Sequence, residues 1–357
     1  FVTGRASYAG PAWDAAIAEV RKAGTDCVHV HVDGEPTPEL VDAAVAAHAD
    51  RGVRVVVAWG GGSVVDAGKA ISAMLPRREP VAEYLEDVGN KELPDGAKIP
   101  FVAVPTTAGT GSEATKNAVL SRVGPDGFKK SLRHDGLVPD VALVDPELAL
   151  TCPPHVTAAC GMDAFTQLLE AYVSIKASPM TDALAISGLD HVIRGLPRAF
   201  QEGSHDIEAR TGMAYAALVS GIVLANAGLG VVHGLASPIG ARFDAPHGAV
   251  CGALVAAATS ATIRRLFDEG RRDHPALIKY ARVGALFSDR AREATETGCA
   301  VLIEALENWT EMLAMPRLTR FGIAESDLPG FVAGASNKNN PVPLTDGEIA
   351  ALLRACL

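Results

Sequence analysis

Over the first 150 residues, short β-branched apolar runs alternate with stretches of helical periodicity. That alternation predicts strands and helices in turn, and hence an α/β domain on a largely parallel sheet. Phe1–Thr3 reads as a strand end, and Cys27–Val32, Val53–Ala58, Ile99–Val104 and Val141–Val144 as further strands. Helices are predicted over Pro11–Ala23, Pro38–Asp50 and Val64–Leu75, with Gly52 closing the second of them. Val53–Ala58 is almost continuously apolar, as a strand covered on both faces should be. Val119–Val123 and Lys129–Leu132 flank Gly124-Pro125-Asp126-Gly127 and read as a hairpin. From Thr151 the period becomes helical and stays so, over His155–Val173, Pro179–Phe200, Ile207–Ala227, His247–Thr259, Pro275–Ala285, Ala291–Ala314 and Asp346–Cys356. Asn337–Pro343 is a turn-rich connection. The expectation is an α/β domain over 1–150 followed by an all-helical domain over 151–357.

Two loops follow predicted strands. The first, Gly60-Gly61-Gly62-Ser63, opens a helix. Glycines let a phosphate approach the backbone, and a helix N-terminus offers unpaired N–H groups and partial positive charge. Ser63-x-x-Asp66 also has the form of a capping box. The spacing is not G-x-G-x-x-G, so a plain glycine-rich turn fits this segment as well. The second loop, Pro105-Thr106-Thr107-Ala108-Gly109-Thr110-Gly111-Ser112-Glu113, holds four hydroxyls and two glycines. Such a composition suits hydrogen bonding to a diphosphate and ribose, at the strand end where open α/β sheets bind ligands.

In the helical half, Asp163 and Gln167 lie four residues apart and project from one helix face. His233 and His247 each sit at a glycine-marked helix boundary. Two imidazoles and a carboxylate that converge make a divalent metal site with an open position; polar residues on separate helices give the same list without one.

Composition narrows the partners. The 357 residues are 48% hydrophobic and 21% charged, as in a globular protein large enough for two cores. A net charge of -10 argues against nucleic acid or an anionic membrane surface as the main partner. Apolar runs such as Ala253–Ala258 are too short to span a bilayer. Six cysteines without a C-x-x-C motif point to reduced thiols in a cytoplasm. The chain opens at Phe1 without Met, and an N-terminal piece is expected before it.

Four motifs in order, Gly60-Gly61-Gly62-Ser63-x-x-Asp66, Pro105–Glu113, Gly161-Met162-Asp163-Ala164 and Pro246-His247-Gly248, resemble the iron-containing (group III) alcohol dehydrogenase family over essentially the whole chain. The resemblance implies a dehydroquinate-synthase-like architecture with the active site in the cleft between the halves. It also implies NAD or NADP as hydride carrier, a divalent iron or zinc, and a homodimer. Carried over by position, Gly61, Gly62 and Ser63 look like the diphosphate clamp with Asp66 beside it. Thr106, Thr107, Thr110 and Thr115 look like further cofactor contacts, and Lys129 falls near the nicotinamide ribose. Asp163, His233 and His247 fall on three of four metal-ligand positions.

The chain departs from the pattern in three places. Gln167 replaces a ligand histidine, and its neutral amide oxygen is a weaker donor to iron or zinc. Ser237 replaces a histidine four residues after His233, leaving a hydroxyl as candidate proton relay. Gly4 stands where NAD-specific members carry an acid, and neighbouring Arg5 is able to pair with a 2′-phosphate. The leading expectation is an NAD(P)-dependent alcohol dehydrogenase or aldehyde reductase using a divalent metal as Lewis acid. The missing histidines motivate a metal-independent oxo-acid reductase resembling maleylacetate reductases as the alternative. A lyase resembling 3-dehydroquinate synthase and a non-catalytic nucleotide binder are more distant ones. Cys160, with no histidine partner apparent, reads as a small buried residue, and His29, His31 and His48 as residues away from the cleft.

Overall fold

The computed structural model describes residues 1–5, 10–93, 95–292 and 294–357. Strands β1 (Val2–Gly4), β2 (Val30–Val32), β3 (Val56–Gly60), β4 (Phe101–Pro105) and β7 (Val141–Ala142) form one sheet, and β5 (Asn117–Arg122) and β6 (Phe128–Arg133) the predicted hairpin. The five-stranded sheet runs β2-β1-β3-β4-β7 with every pairing parallel. The order reverses between β1 and β3. In such sheets, ligands collect beyond the strand C-termini at the reversal, which here is where Gly60 ends β3.

Helices α1 (Pro11–Lys22), α2 (Pro38–His48) and α3 (Gly62–Met74) complete the α/β half. Its core joins Val56, Ala58, Phe101 and Ala103 of the sheet to Val41 of α2 and Ala67, Ile71 and Met74 of α3. The strand over 53–60 starts later than its apolar run. Val53 and Arg54 precede it, and the pairing with β4 begins at Val56.

The second half is helical throughout its described residues: α4 (Pro154–Val173), α5 (Pro179–Glu202), α6 (Ile207–Ala227), α7 (Val231–Arg242), α8 (His247–Asp268), α9 (Pro275–Phe287), α10 (Thr295–Met312), α11 (Leu328–Gly334) and α12 (Asp346–Ala355). Three differences from the sequence pattern have physical reasons. Helix α7 escapes periodicity because Gly234, Pro238 and Gly240 interrupt it, yet Pro238 is accommodated inside the helix. Helix α8 runs on to Asp268 past the expected end at Thr259, burying Thr262, Ile263 and Leu266. The predicted helix over 291–314 becomes a 3₁₀ turn at Asp289–Arg292 and α10, and Glu293 between them lies outside the described residues.

By length and composition α6 and α8 could each cross a bilayer, which the short run at 253–258 did not foretell. Both contribute to the helical core, through Met213, Val219 and Val223 of α6 and Val255, Ile263 and Leu266 of α8.

The halves meet where glycines remove side-chain bulk. Gly111, with a left-handed φ of +61°, would bring a Cβ to 2.5 Å from the Ala217 carbonyl oxygen. On α6, a Cβ at Gly221 would stand 2.2 Å from the Gly111 carbonyl oxygen. That approach seats the hydroxyl-rich loop directly on the helical half.

Candidate active site

The two loops of the α/β half lie against each other. Thr106 N–H donates to the Gly60 carbonyl at 2.9 Å. A Cβ at Gly62 would meet the Thr110 side chain at 2.6 Å, and one at Gly61 would reach Thr107 at 3.3 Å. Helix α3 is capped by Gly61, with no side-chain cap hydrogen bond among the described residues. The capping box expected at Ser63 and Asp66 is therefore absent. Asp66 instead accepts from the Ser112 hydroxyl and from Val119 N–H at 3.1 Å. Burial pushes its carboxyl above the usual range, against the pull of Lys69.

Lys69, one turn further along α3, is fully buried. Its ammonium donates to the Ser112 carbonyl (2.8 Å), the Thr115 carbonyl (2.9 Å) and hydroxyl (3.1 Å), and the Asn117 carbonyl (2.8 Å). Burial pushes it down to about 8, opposed by Asp66 and Glu113. Asp66 and Lys69 thus pin the segment after the hydroxyl-rich loop, and the Thr115 hydroxyl is spent on that pin.

On the helical side, α4 presents Asp163, Gln167 and Glu170 at successive turns of one face. Gly248, at the start of α8, is bare enough to sit against α4, where a Cβ would meet the Ala159 carbonyl oxygen at 2.3 Å and Asp163 Cβ at 3.3 Å. That contact brings His247 to Asp163. His233 Nε2 lies 3.3 Å and His247 Nε2 3.8 Å from Asp163 Oδ1. Cys251 Sγ, one turn after His247, lies 3.8 Å from His233 Nε2 and 3.7 Å from His247 Nε2. The four donor atoms are all within 4.8 Å of one another. A carboxylate, two imidazoles and a sulfur are donors that divalent iron and zinc both accept.

Glu170 supports this cluster. One carboxylate oxygen accepts from Val232 N–H at 2.7 Å, at the N-terminus of α7, and the other is 2.6 Å from His233 Nδ1. The carboxylate thereby anchors the helix and turns Nε2 toward Asp163. Burial alone would depress His233, but Cys251, Glu170 and Asp163 raise it well above the usual histidine value. Burial would raise Asp163, yet His247 and His233 hold it below the usual carboxylate range. Burial takes His247 down to about 4.

Gln167 has other partners. Its Oε1, the atom that would ligate, accepts from the Ser220 hydroxyl at 2.6 Å, and its Nε2 donates to the Thr110 carbonyl at 3.3 Å. Lys129 is paired with Glu35, which also accepts from Ser121 Oγ at 2.9 Å. Ser237 Oγ donates to the His233 carbonyl at 3.3 Å. Arg5 is paired with Asp33 at 2.7 Å, with both side chains largely in water. Cys160 is half-buried rather than fully buried as its position suggested, and desolvation pushes its thiol up to about 12.

One cavity joins the halves. Gly62, Ser63, Asp66 and Thr110 border it on the loop side, and Gln167, His233, Ser237 and His247 on the helical side, with Glu35 and Lys129 at its edge. Sequence reasoning missed Glu35, Glu170 and Cys251. The last two carried a signal, since Glu170 follows Asp163 by seven residues and Cys251 follows His247 by four, both helix-face spacings.

Fold and site together define a class: a parallel α/β half and a helical half sharing a polar cleft with a buried cluster of metal-competent donors. Residues 1–146 match the family described as iron-containing alcohol dehydrogenase, and residues 157–357 match the C-terminal part of the Fe-containing alcohol dehydrogenase family. The chain is 35% identical over 336 residues to long-chain-alcohol dehydrogenase 1 of Geobacillus thermodenitrificans, covering 92% of this chain and 82% of that one. It is 31% identical to the NAD-dependent methanol dehydrogenase of Bacillus methanolicus, over 95% of this chain and 86% of the relative. A solved 1,3-propanediol oxidoreductase is 30% identical and superposes with a TM-score of 0.88, over 100% of this chain and 91% of the other. The chain belongs to the iron-containing alcohol dehydrogenase family and is an oxidoreductase acting on alcohols.

Proposed function

We propose that this chain is an NAD(P)-dependent alcohol dehydrogenase working reversibly as an aldehyde or ketone reductase. The observation that carries the reading is the shared cavity, bordered by the glycine and threonine loops on one side and by His233 and His247 on the other. A dinucleotide diphosphate finds bare N–H groups and helix-dipole charge at Gly61–Ser63, with the Thr106, Thr107 and Thr110 loop closing over it. Lys129, held by Glu35, would face the nicotinamide ribose. Asp163, His233 and His247 would hold a divalent cation, iron or zinc. When bound, that ion acts as a Lewis acid on the substrate oxygen, while the nicotinamide carries the hydride.

The protein's own part is positioning and proton handling. Glu170 fixes the His233 ring, Asp163 keeps the cluster anionic enough to retain a cation, and Ser237 Oγ offers the route by which a proton reaches solvent. With glycine at position 4, no carboxylate at that position repels a 2′-phosphate, which favours tolerance of NADP beside NAD. Six free cysteines support a reducing, cytoplasmic setting, and the family relationship supports a homodimer.

The test is aldehyde-dependent oxidation of NADH and of NADPH before and after exhaustive chelation. The expected result is loss of turnover on chelation and recovery with iron or zinc. Undiminished turnover would instead favour the metal-independent oxo-acid reductase reading, for which the amide at position 167 is the motive.

A further inference from the structure

Where the resemblance expects a third ligand imidazole, this chain has an amide whose oxygen is already taken by Ser220 at 2.6 Å. The fourth donor converging on Asp163, His233 and His247 is a sulfur. Cys251 is 0% exposed, and its Sγ stands 3.7–3.8 Å from the two imidazole Nε2 atoms. For comparison, a tetrahedral site with ligand bonds of about 2.0–2.3 Å has edges of roughly 3.3–3.6 Å. Four of the six donor separations are 3.3, 3.7, 3.8 and 3.8 Å and all six lie within 4.8 Å, so side-chain rotation can close the set around one ion.

A buried cysteine is more often just a small core residue, and Cys251 does border Val250 and Leu254. Its sulfur, however, is directed at two imidazole nitrogens that share a carboxylate. The His247-to-Cys251 spacing puts both on one face of α8, one turn apart.

We infer that Cys251, and not Gln167, supplies the fourth protein ligand, giving an Asp-His-His-Cys centre whose thiolate favours zinc or cobalt over iron and to which the substrate oxygen would add as a fifth donor. Binding releases the thiol proton to solvent, since the thiolate is the ligand. Softer sulfur donors select zinc over harder cations, which is the basis of the metal preference. The inference rests on the metal reading proposed above.

The test is to load the purified full chain with Co²⁺ and record its optical spectrum. The wild type is expected to show visible bands of low-symmetry cobalt together with a near-ultraviolet thiolate-to-cobalt charge-transfer band. Cys251→Ser should lose the charge-transfer band while Gln167→Ala keeps it. Visible bands without charge transfer in the wild type, or a charge-transfer band that survives in Cys251→Ser, would overturn the cysteine assignment and leave the three-ligand site standing. No cobalt binding at all would sink the metal reading itself, and this inference with it. Should Cys251→Ser fail to fold, X-ray absorption on the wild-type zinc protein decides instead. One sulfur at about 2.3 Å supports the inference, and a shell of nitrogen and oxygen alone overturns it.

Discussion

Glu170 performs two tasks with one carboxylate, holding the N-terminus of α7 and orienting His233. Glu170→Gln keeps the shape but removes the charge that makes the imidazole a stronger donor. Carboxylates that orient a metal-binding histidine are worth roughly 10–100-fold in metal affinity, and a fall of that size in competition with a chromophoric chelator is the expected outcome. Unchanged affinity would mean that His233 is oriented without it. At this scale the sequence was legible in residue type more than in partnership. Asp163, His233 and His247 stand out because carboxylate and imidazole beside glycine-marked boundaries are unusual. Glu170 and Cys251 do not, because a glutamate and a cysteine inside apolar helices acquire meaning only once α4, α7 and α8 are placed together.

Among elements, α3 shows how the proposed nucleotide side is assembled. Its glycine start and the Thr110 loop fit only without a Cβ at position 62. Gly62→Ala should raise KM for NAD(P) by about tenfold, equivalent to about 1.4 kcal/mol of lost binding, with little change in kcat. Because the atoms in the way are those of the Thr110 side chain, Gly62→Ala with Thr110→Ala should recover part of the loss, a coupling expected of neighbours. Additive effects in steady-state kinetics would contradict that packing. The helix itself was legible from its position after β3, but its capping was not. The pattern Ser63-x-x-Asp66 fits a capping box, while tertiary structure turns Asp66 toward Ser112 and Val119. Helix α7 was hidden for the opposite reason: its glycines and proline read as breakers, and packing overrides them.

Across the whole molecule, the cleft buries two carboxylates, Asp163 and Glu170, around His233. A cluster of that charge needs a cation, and in metal-free protein the proton on His233 serves. His233 binds its proton more tightly folded than unfolded. Its contribution to stability is therefore complete below pH 6.5 and is lost as pH rises through its elevated pKa. Bound metal takes over the role of that proton and binds more tightly as competition from it fades. The gap in melting temperature between metal-loaded and chelated protein should widen as pH is raised above 6.5; a constant gap would show that His233 is not the shared site.

All of this depends on one cation seated where the two halves meet. Anomalous diffraction from zinc- or iron-loaded crystals grown with NAD⁺ tests it most directly. The expected result is a single peak about 2.0–2.3 Å from Asp163, His233 Nε2 and His247 Nε2, with the dinucleotide diphosphate at Gly61–Ser63. A peak elsewhere, or none in protein that binds the cofactor, would contradict the account.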